Sequence, residues 1–118
     1  MTEQKINGLL GLAVRSGKIA MGTENCLNAV RTGTALCVLV DESVGPNTLK
    51  RVRDACGFYK VPCFELGERQ MDRAMGRNGL MTAAMFSSSI TEEILRHLTE
   101  QKTIEIDGNK AGVQANNG

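Results

Sequence analysis

The sequence is poor in aromatic side chains: no Trp, one Tyr and three Phe in 118 residues. Proteins that hold single-stranded nucleic acid by stacking bases need a series of aromatic platforms. This chain cannot supply one, so any nucleic acid it binds has to be read through backbone, polar and apolar contacts. Histidine is scarce too, with His97 alone, and Cys26, Cys37, Cys56 and Cys63 never fall in a Cys-x-x-Cys spacing. Structural zinc sites cluster their ligands in such spacings, so no metal and no other cofactor is expected. No apolar run approaches the ~20 residues of a membrane-spanning helix, so no membrane partner is expected. The opening Met1-Thr2-Glu3-Gln4-Lys5 has no basic region leading into an apolar stretch. That predicts a cytoplasmic chain without a secretory signal, whose thiols stay reduced. The four cysteines then read as small buried apolar residues.

Enzymatic motifs are missing as well. There is no Gly-x-Gly-x-x-Gly, no phosphate loop ending in Gly-Lys-Ser/Thr and no Gly-x-Ser-x-Gly. Cys26 stands close to the start of a predicted helix, where a thiol pKa is lowered and a nucleophile becomes conceivable. Such a thiol also needs a base, and His97 lies among Glu92, Glu93 and Arg96, which reads as a solvated surface. The chain is therefore expected not to be an enzyme and to take no small-molecule substrate.

At 42% apolar residues, 118 residues suffice for one core and are too few for two. The net charge of +1 decides nothing alone. Residues 1–90 carry eleven Lys/Arg against eight Asp/Glu, and the remainder three against five, so a mildly basic body precedes a mildly acidic tail. That distribution permits RNA binding without arguing for it, because charged surfaces are general.

Ile6, Leu9, Leu10, Ala13 and Val14 recur at helical spacing, and Gly17 supplies a stop. Residues 18–21 read as a short extended link. Gly22-Thr23 then opens a second helix with Cys26, Leu27 and Val30 inward and Thr23 placed to cap its first turn. The unbroken apolar run from Ala35 to Val40 suits a strand covered on both faces. Pro46 restarts a helix with Leu49, Val52 and Cys56 inward, and a second strand runs from Val61 to Leu66. A short helix carries Met71, Ala74 and Met75, and the loop Gly76-Arg77-Asn78-Gly79 leads to a strand from Leu80 to Phe86. Ser89-x-x-Glu92 has the spacing of a capping box for a last helix bearing Ile90, Ile94 and Leu98. From Thr103 onward the composition turns to Gly, Asn and Ala, and a flexible tail over 103–118 is expected. Helices alternating with strands predict one α/β domain over residues 5–102, a three-layer α-β-α sandwich around a small mixed β-sheet.

The most suggestive segment is Gly22-Thr23-Glu24-Asn25-Cys26-Leu27-Asn28-Ala29-Val30. Exposed amides and the positive end of the helix dipole attract phosphate oxygens, while Glu24, Asn25 and Asn28 can reach base edges. The same pattern also fits an ordinary capped surface helix. Its context is specific. Gly22-Thr23 with Ala29-Val30, Arg31-x-Gly33, the strand Leu36-Cys37-Val38-Leu39-Val40, Pro46-Asn47-Thr48, Val61-Pro62, Met71-x-x-Ala74-Met75-Gly76 and Ala83-Ala84 follow one another in order. This series resembles the kink-turn-binding ribosomal proteins, the large-subunit seven-Ae and thirty-e type. The opening Ile6-x-x-Leu9-Leu10-Gly11-Leu12-Ala13-x-Arg15-Ser16-Gly17-Lys18 is similar to their short bacterial branch. The resemblance runs from about Lys5 to His97.

What it implies is a monomeric binder of structured RNA, ribosomal RNA among the candidates. The target would be a sharp bend with tandem sheared G·A pairs. The segment Thr23 to Asn28 would enter the widened groove, and the loop with Arg77, Asn78 and Leu80 would pack against flipped-out bases. By the same resemblance Lys18, Arg31 and Arg77 would contact phosphates. The loop Arg77-Asn78-Gly79 lacks the apolar residues of the strong binders, with Leu80 as a partial substitute, and the chain departs from them in three further places. It has Glu24-Asn25 where they carry Asn-Glu, Asn28 where they carry Lys, and Asp72 for a usual Gly, adding negative charge near the RNA face. The alternative is a protein-interaction module on the same scaffold, with RNA binding weakened or lost. Dispersal of Arg15, Lys18, Arg31, Arg73 and Arg77 would favour it.

Overall fold

The computed structural model describes residues 2–100 together with residues 105 and 106. Five helices alternate with five strands: α1 Thr2–Arg15, β1 Ile19–Met21, α2 Thr23–Arg31, β2 Ala35–Asp41, α3 Pro46–Tyr59, β3 Cys63–Leu66, α4 Gln70–Met75, β4 Thr82–Phe86, α5 Ser89–Glu100 and β5 Glu105–Ile106. The strands form one sheet in the order β1-β4-β2-β3-β5. β2 runs parallel to β3 and antiparallel to β4, so the sheet is mixed as expected.

β2 shows why an unbroken apolar run marks a central strand. Cys37 and Leu39 point to one face, where they meet Ile6, Leu10, Met71, Met75, Ile94 and Leu98 from α1, α4 and α5. Val38 and Val40 point to the other, against Cys26, Leu27, Val30, Val52 and Cys56 from α2 and α3. Period-two geometry thus feeds two apolar layers from one strand. Each fully buried Val or Leu contributes about 1.5–3 kcal/mol relative to exposure. All four cysteines are buried and free, filling these layers as small apolar groups.

Several expectations need correction. The link over 18–21 is a strand: β1 pairs antiparallel with β4, Ile19 opposite Met85 and Met21 opposite Ala83. Three residues are too few for a readable period, which is why the sequence hides it. The last helix is capped one residue early. The Ser88 hydroxyl oxygen accepts the Thr91 N–H at 3.1 Å, and Ser89 is already helical. Ser87, Ser88 and Ser89 are interchangeable caps to a sequence reader, and the neighbouring Glu92 pointed to the wrong one. His97 does not lie on a solvated surface. It is 6% exposed and sits between Glu93 and Glu100 on α5, with its Nδ1 hydrogen-bonded to nothing among the described residues. Of the expected tail, Glu105 and Ile106 pair antiparallel with β3 at Phe64 and Cys63, and the rest lies outside the described residues.

Candidate nucleic-acid interface

β2 and β4 are antiparallel, so the end of β2 lies beside the start of β4, with Val40 opposite Thr82. Three connections converge there: β1 to α2, β2 to α3, and α4 to β4. Backbone hydrogen bonds join them. Gly22 N–H donates to the Thr82 carbonyl at 2.9 Å, and Asp41 N–H donates to the Met81 carbonyl at 2.9 Å.

Gly22 is the N-cap of α2 at φ 97°, ψ 154°, a backbone region essentially reserved for glycine. Its carbonyl accepts the Cys26 N–H at 2.8 Å and so closes the first helical turn. No side chain caps the helix. Thr23 was expected to do so, yet it is the first helical residue, and its Oγ1 lies 3.2 Å from the Oγ1 of buried Thr82. A hydroxyl committed to the sheet cannot turn back onto its own helix. The amides of Thr23, Glu24 and Asn25 therefore have no intrahelical acceptor and open outward at the positive end of the dipole.

Around this opening the side chains are exposed and oriented. Glu24 Oε2 pairs with Arg51 Nη2 of α3 at 3.0 Å, a surface pair worth under about 1 kcal/mol. Asn25 Nδ2 donates to the Met21 carbonyl at 3.0 Å. Asn28 stands exposed one turn further along. Cys26 on the inner face is no nucleophile. Burial, and secondarily the neighbouring Cys56, pushes its thiol up to about 12, opposite to the lowering expected at a helix start.

The loop at 76–81 is held by a buried carboxylate. Asp72 is 3% exposed. Its Oδ1 accepts the Leu80 N–H at 2.8 Å and its Oδ2 accepts the Gly79 N–H at 2.8 Å. These two donors hold the carboxyl below the usual range, with Arg69 and Arg73 adding to the effect. The charge of Asp72, expected to face outward, is thus turned inward onto the loop backbone. Arg69 ties the loop further, with Nε 3.5 Å from Asp72 and Nη2 donating to Asn78 Oδ1 at 3.1 Å. A second buried carboxylate, Asp41, accepts the Arg69 N–H at 2.7 Å and both the N–H and the hydroxyl of Ser43. Arg69 takes the left-handed conformation at φ 61° between these anchors.

The structure therefore gathers Gly22, Thr23, Glu24, Asn25, Arg77 and Asn78 at one end of the sheet. Arg77 is exposed, with Nη1 donating to the Met75 carbonyl at 3.5 Å. Leu80 is 8% exposed and belongs to the core, so its side chain is withheld from this face; the half-buried Met81 beside it is the apolar side chain partly open there. Lys18 and Arg31 are elsewhere. The Lys18 carbonyl accepts the N–H of Phe86 at the far end of β4, and Arg31 ends α2 about 12 Å from Thr23 at 1.5 Å per residue. Sequence reasoning missed Arg51, Arg69, Asp41 and Met81. They become neighbours of the opening only through strand pairing and helix packing.

A sandwich that offers an open helix start beside a carboxylate-braced loop is a binding scaffold, and among the described residues no cluster of three or more His, Cys, Asp or Glu could hold a metal ion. The chain belongs to the Ribosomal protein L7Ae/L30e/S12e/Gadd45 family, whose model matches residues 4–94. It is similar to the RNA-binding protein YlxQ of Enterococcus faecium, 39% identical over 75 residues that cover 63% of this chain and 73% of that one. It also matches the RNA-binding protein YlxQ of Bacillus subtilis, 31% identical over 88 residues covering 74% and 88% of the two chains. Among solved structures, a Bacillus halodurans protein of unknown function superposes with a TM-score of 0.74 at 26% identity, covering 80% of this chain and 96% of that one. The Giardia lamblia 15.5kD RNA binding protein superposes at 0.71 with 16% identity, covering 84% and 86%, which supports the shared fold.

Proposed function

We propose that the protein binds a bent, structured RNA of the kink-turn type in the cytoplasm, without catalysis. The observation that carries this reading is the uncapped start of α2, open between Gly22 and Asn25 and set beside the braced loop at 76–81. Open amides and the helix dipole suit a phosphate, Asn25 and Asn28 suit base edges, and Arg51, Arg69 and Arg77 supply cations around the opening. Relatives bearing the name RNA-binding protein, at 39% and 31% identity, support the same reading. Titration of a kink-turn duplex tests it. Asn25→Ala and Arg77→Ala should each weaken binding about fivefold or more, since a good polar contact to a base is worth about 1–3 kcal/mol. Unchanged affinity in both variants would move the RNA site elsewhere.

Two observations favour a second reading, a protein-interaction module with weakened RNA binding. Lys18 and Arg31 lie away from the opening, and Glu24 engages Arg51. Weak, salt-sensitive binding that is equal for kinked and straight duplexes would select it.

A further inference from the structure

The end of the sheet opposite the helix opening carries a second recognisable surface. α2 ends there at Arg31, β2 begins at Ala35, and α3 finishes at Tyr59. Between them lies a hollow of about 520 Å³, floored by Val30, Leu36, Val61, Pro62 and Leu95 and edged by Arg31 and Lys60. That volume lies within the ~300–1,000 Å³ of ordinary ligand pockets. Among the described residues, those lining it include two cations and no carboxylate. At its rim Tyr59 is 44% exposed, and Phe58 beside it is 78% exposed, their rings 4.9 Å apart edge to face. Half of the chain's four aromatic side chains are thus left in water at one point on the surface. An exposed apolar cluster rimmed by polar groups marks interaction sites.

We infer that this hollow docks an acidic peptide segment of a partner protein, its apolar or aromatic anchor seated on Val30, Leu36, Val61 and Leu95 and its carboxylates facing Arg31 and Lys60. An apolar floor selects a side chain over a nucleotide, because anchors of this kind dominate protein interfaces. A cationic edge without acids among the described residues selects negative flanks. The two exposed rings extend the contact area beyond the hollow. Lys60 closes α3 in the left-handed conformation at φ 59°, which fixes where its side chain leaves the backbone. Because α2 separates this surface from the helix opening by about 12 Å, both can be occupied together.

The test is amide chemical-shift mapping on the full chain with short synthetic peptides. Each carries one Leu, Phe, Trp or Tyr between Asp and Glu residues, with Lys-flanked versions and an oligouridine as controls. Saturable shifts confined to residues 30–36, 58–62 and the surroundings of Leu95 are expected with at least one acidic peptide, weakened tenfold or more by Lys60→Glu and by Tyr59→Ala. Residues 22–28 should not respond. Four results would overturn the inference. One is no saturable shift with any acidic peptide, and another is equal binding of the Lys-flanked peptides. The third is the same shifts from oligouridine, which makes the surface a nucleic-acid site. The last is contacts from residues 107–118 to Val61 or Leu95 in the peptide-free protein, which fill the hollow from within.

Discussion

Replacing Gly22 by alanine isolates a single physical term at the proposed RNA face. A Cβ built at Gly22 meets nothing within 4 Å, so packing contributes neither gain nor clash. The whole effect lies in the backbone, which sits at φ 97°, ψ 154°, where an L-residue is strained by about 1–3 kcal/mol. If the native conformation persists, stability should fall by about 2 kcal/mol. For a domain of this size that lowers the melting midpoint by roughly 10 °C. If the backbone relaxes instead, the Gly22 N–H leaves the Thr82 carbonyl, the start of α2 turns, and RNA affinity drops further. Gly8 is the matched control. It is exposed in the interior of α1, and its added Cβ also meets nothing, so Gly8→Ala should stabilise by about 0.5–1 kcal/mol. Thermal unfolding followed by circular dichroism, with RNA titrations on the same samples, reads both effects. Gly22→Ala melting within a degree or two of the parent, with undiminished RNA binding, would refute the strained-cap argument.

Asp72→Asn keeps the shape and removes the charge that two backbone N–H groups and Arg69 answer. The melting midpoint should fall at pH 7, and kink-turn affinity should fall with it as the loop at 79–80 loosens. The sign with pH follows from the depressed carboxyl. Its contribution is complete above the unfolded value near 3.8 and is lost as pH drops through the lower folded value. Parent and variant midpoints should therefore converge in acid; a constant gap down to pH 2 would contradict this role. Leu39→Ala, at a fully buried position of the central strand, should cost about 2–5 kcal/mol in denaturant unfolding. Native-state alkylation at pH 8 should leave Cys26 and Cys37 unmodified, since burial pushes both thiols up to about 12; rapid labelling would contradict it. Arg69→Ala should weaken RNA binding more than Arg31→Ala, which reverses the order implied by resemblance alone, and filter binding or anisotropy decides.

The layers of this fold were readable because each rests on a pattern several residues long. The stripe Ile6, Leu10, Ala13 has the spacing of an amphipathic helix, and the run from Ala35 to Val40 suits a strand covered twice. Events lasting one to three residues were not readable: the strand at Ile19, the cap at Ser88, the hydroxyl of Thr23 drawn to Thr82. Each is decided by a partner distant in sequence. The same holds for the candidate site. The helix opening is local, so Gly22 to Asn25 could be named in advance. Arg51, Arg69 and Asp41 reach it only through strand pairing and helix packing. Asp72 shows the limit most plainly, because as a letter it is a negative charge, whereas in the folded chain it is a backbone acceptor. His97 is the converse case, a residue with charged neighbours that the packing of α5 nonetheless buries.

The central claim is best tested by titrating the protein into a duplex containing a kink-turn, with fluorophores on its two arms. A control duplex has the sheared G·A pairs replaced by Watson–Crick pairs. The account predicts saturable binding that raises energy transfer between the arms of the kinked RNA and leaves the control straight and weakly bound. Equal binding to both duplexes, without any change in transfer, would contradict it.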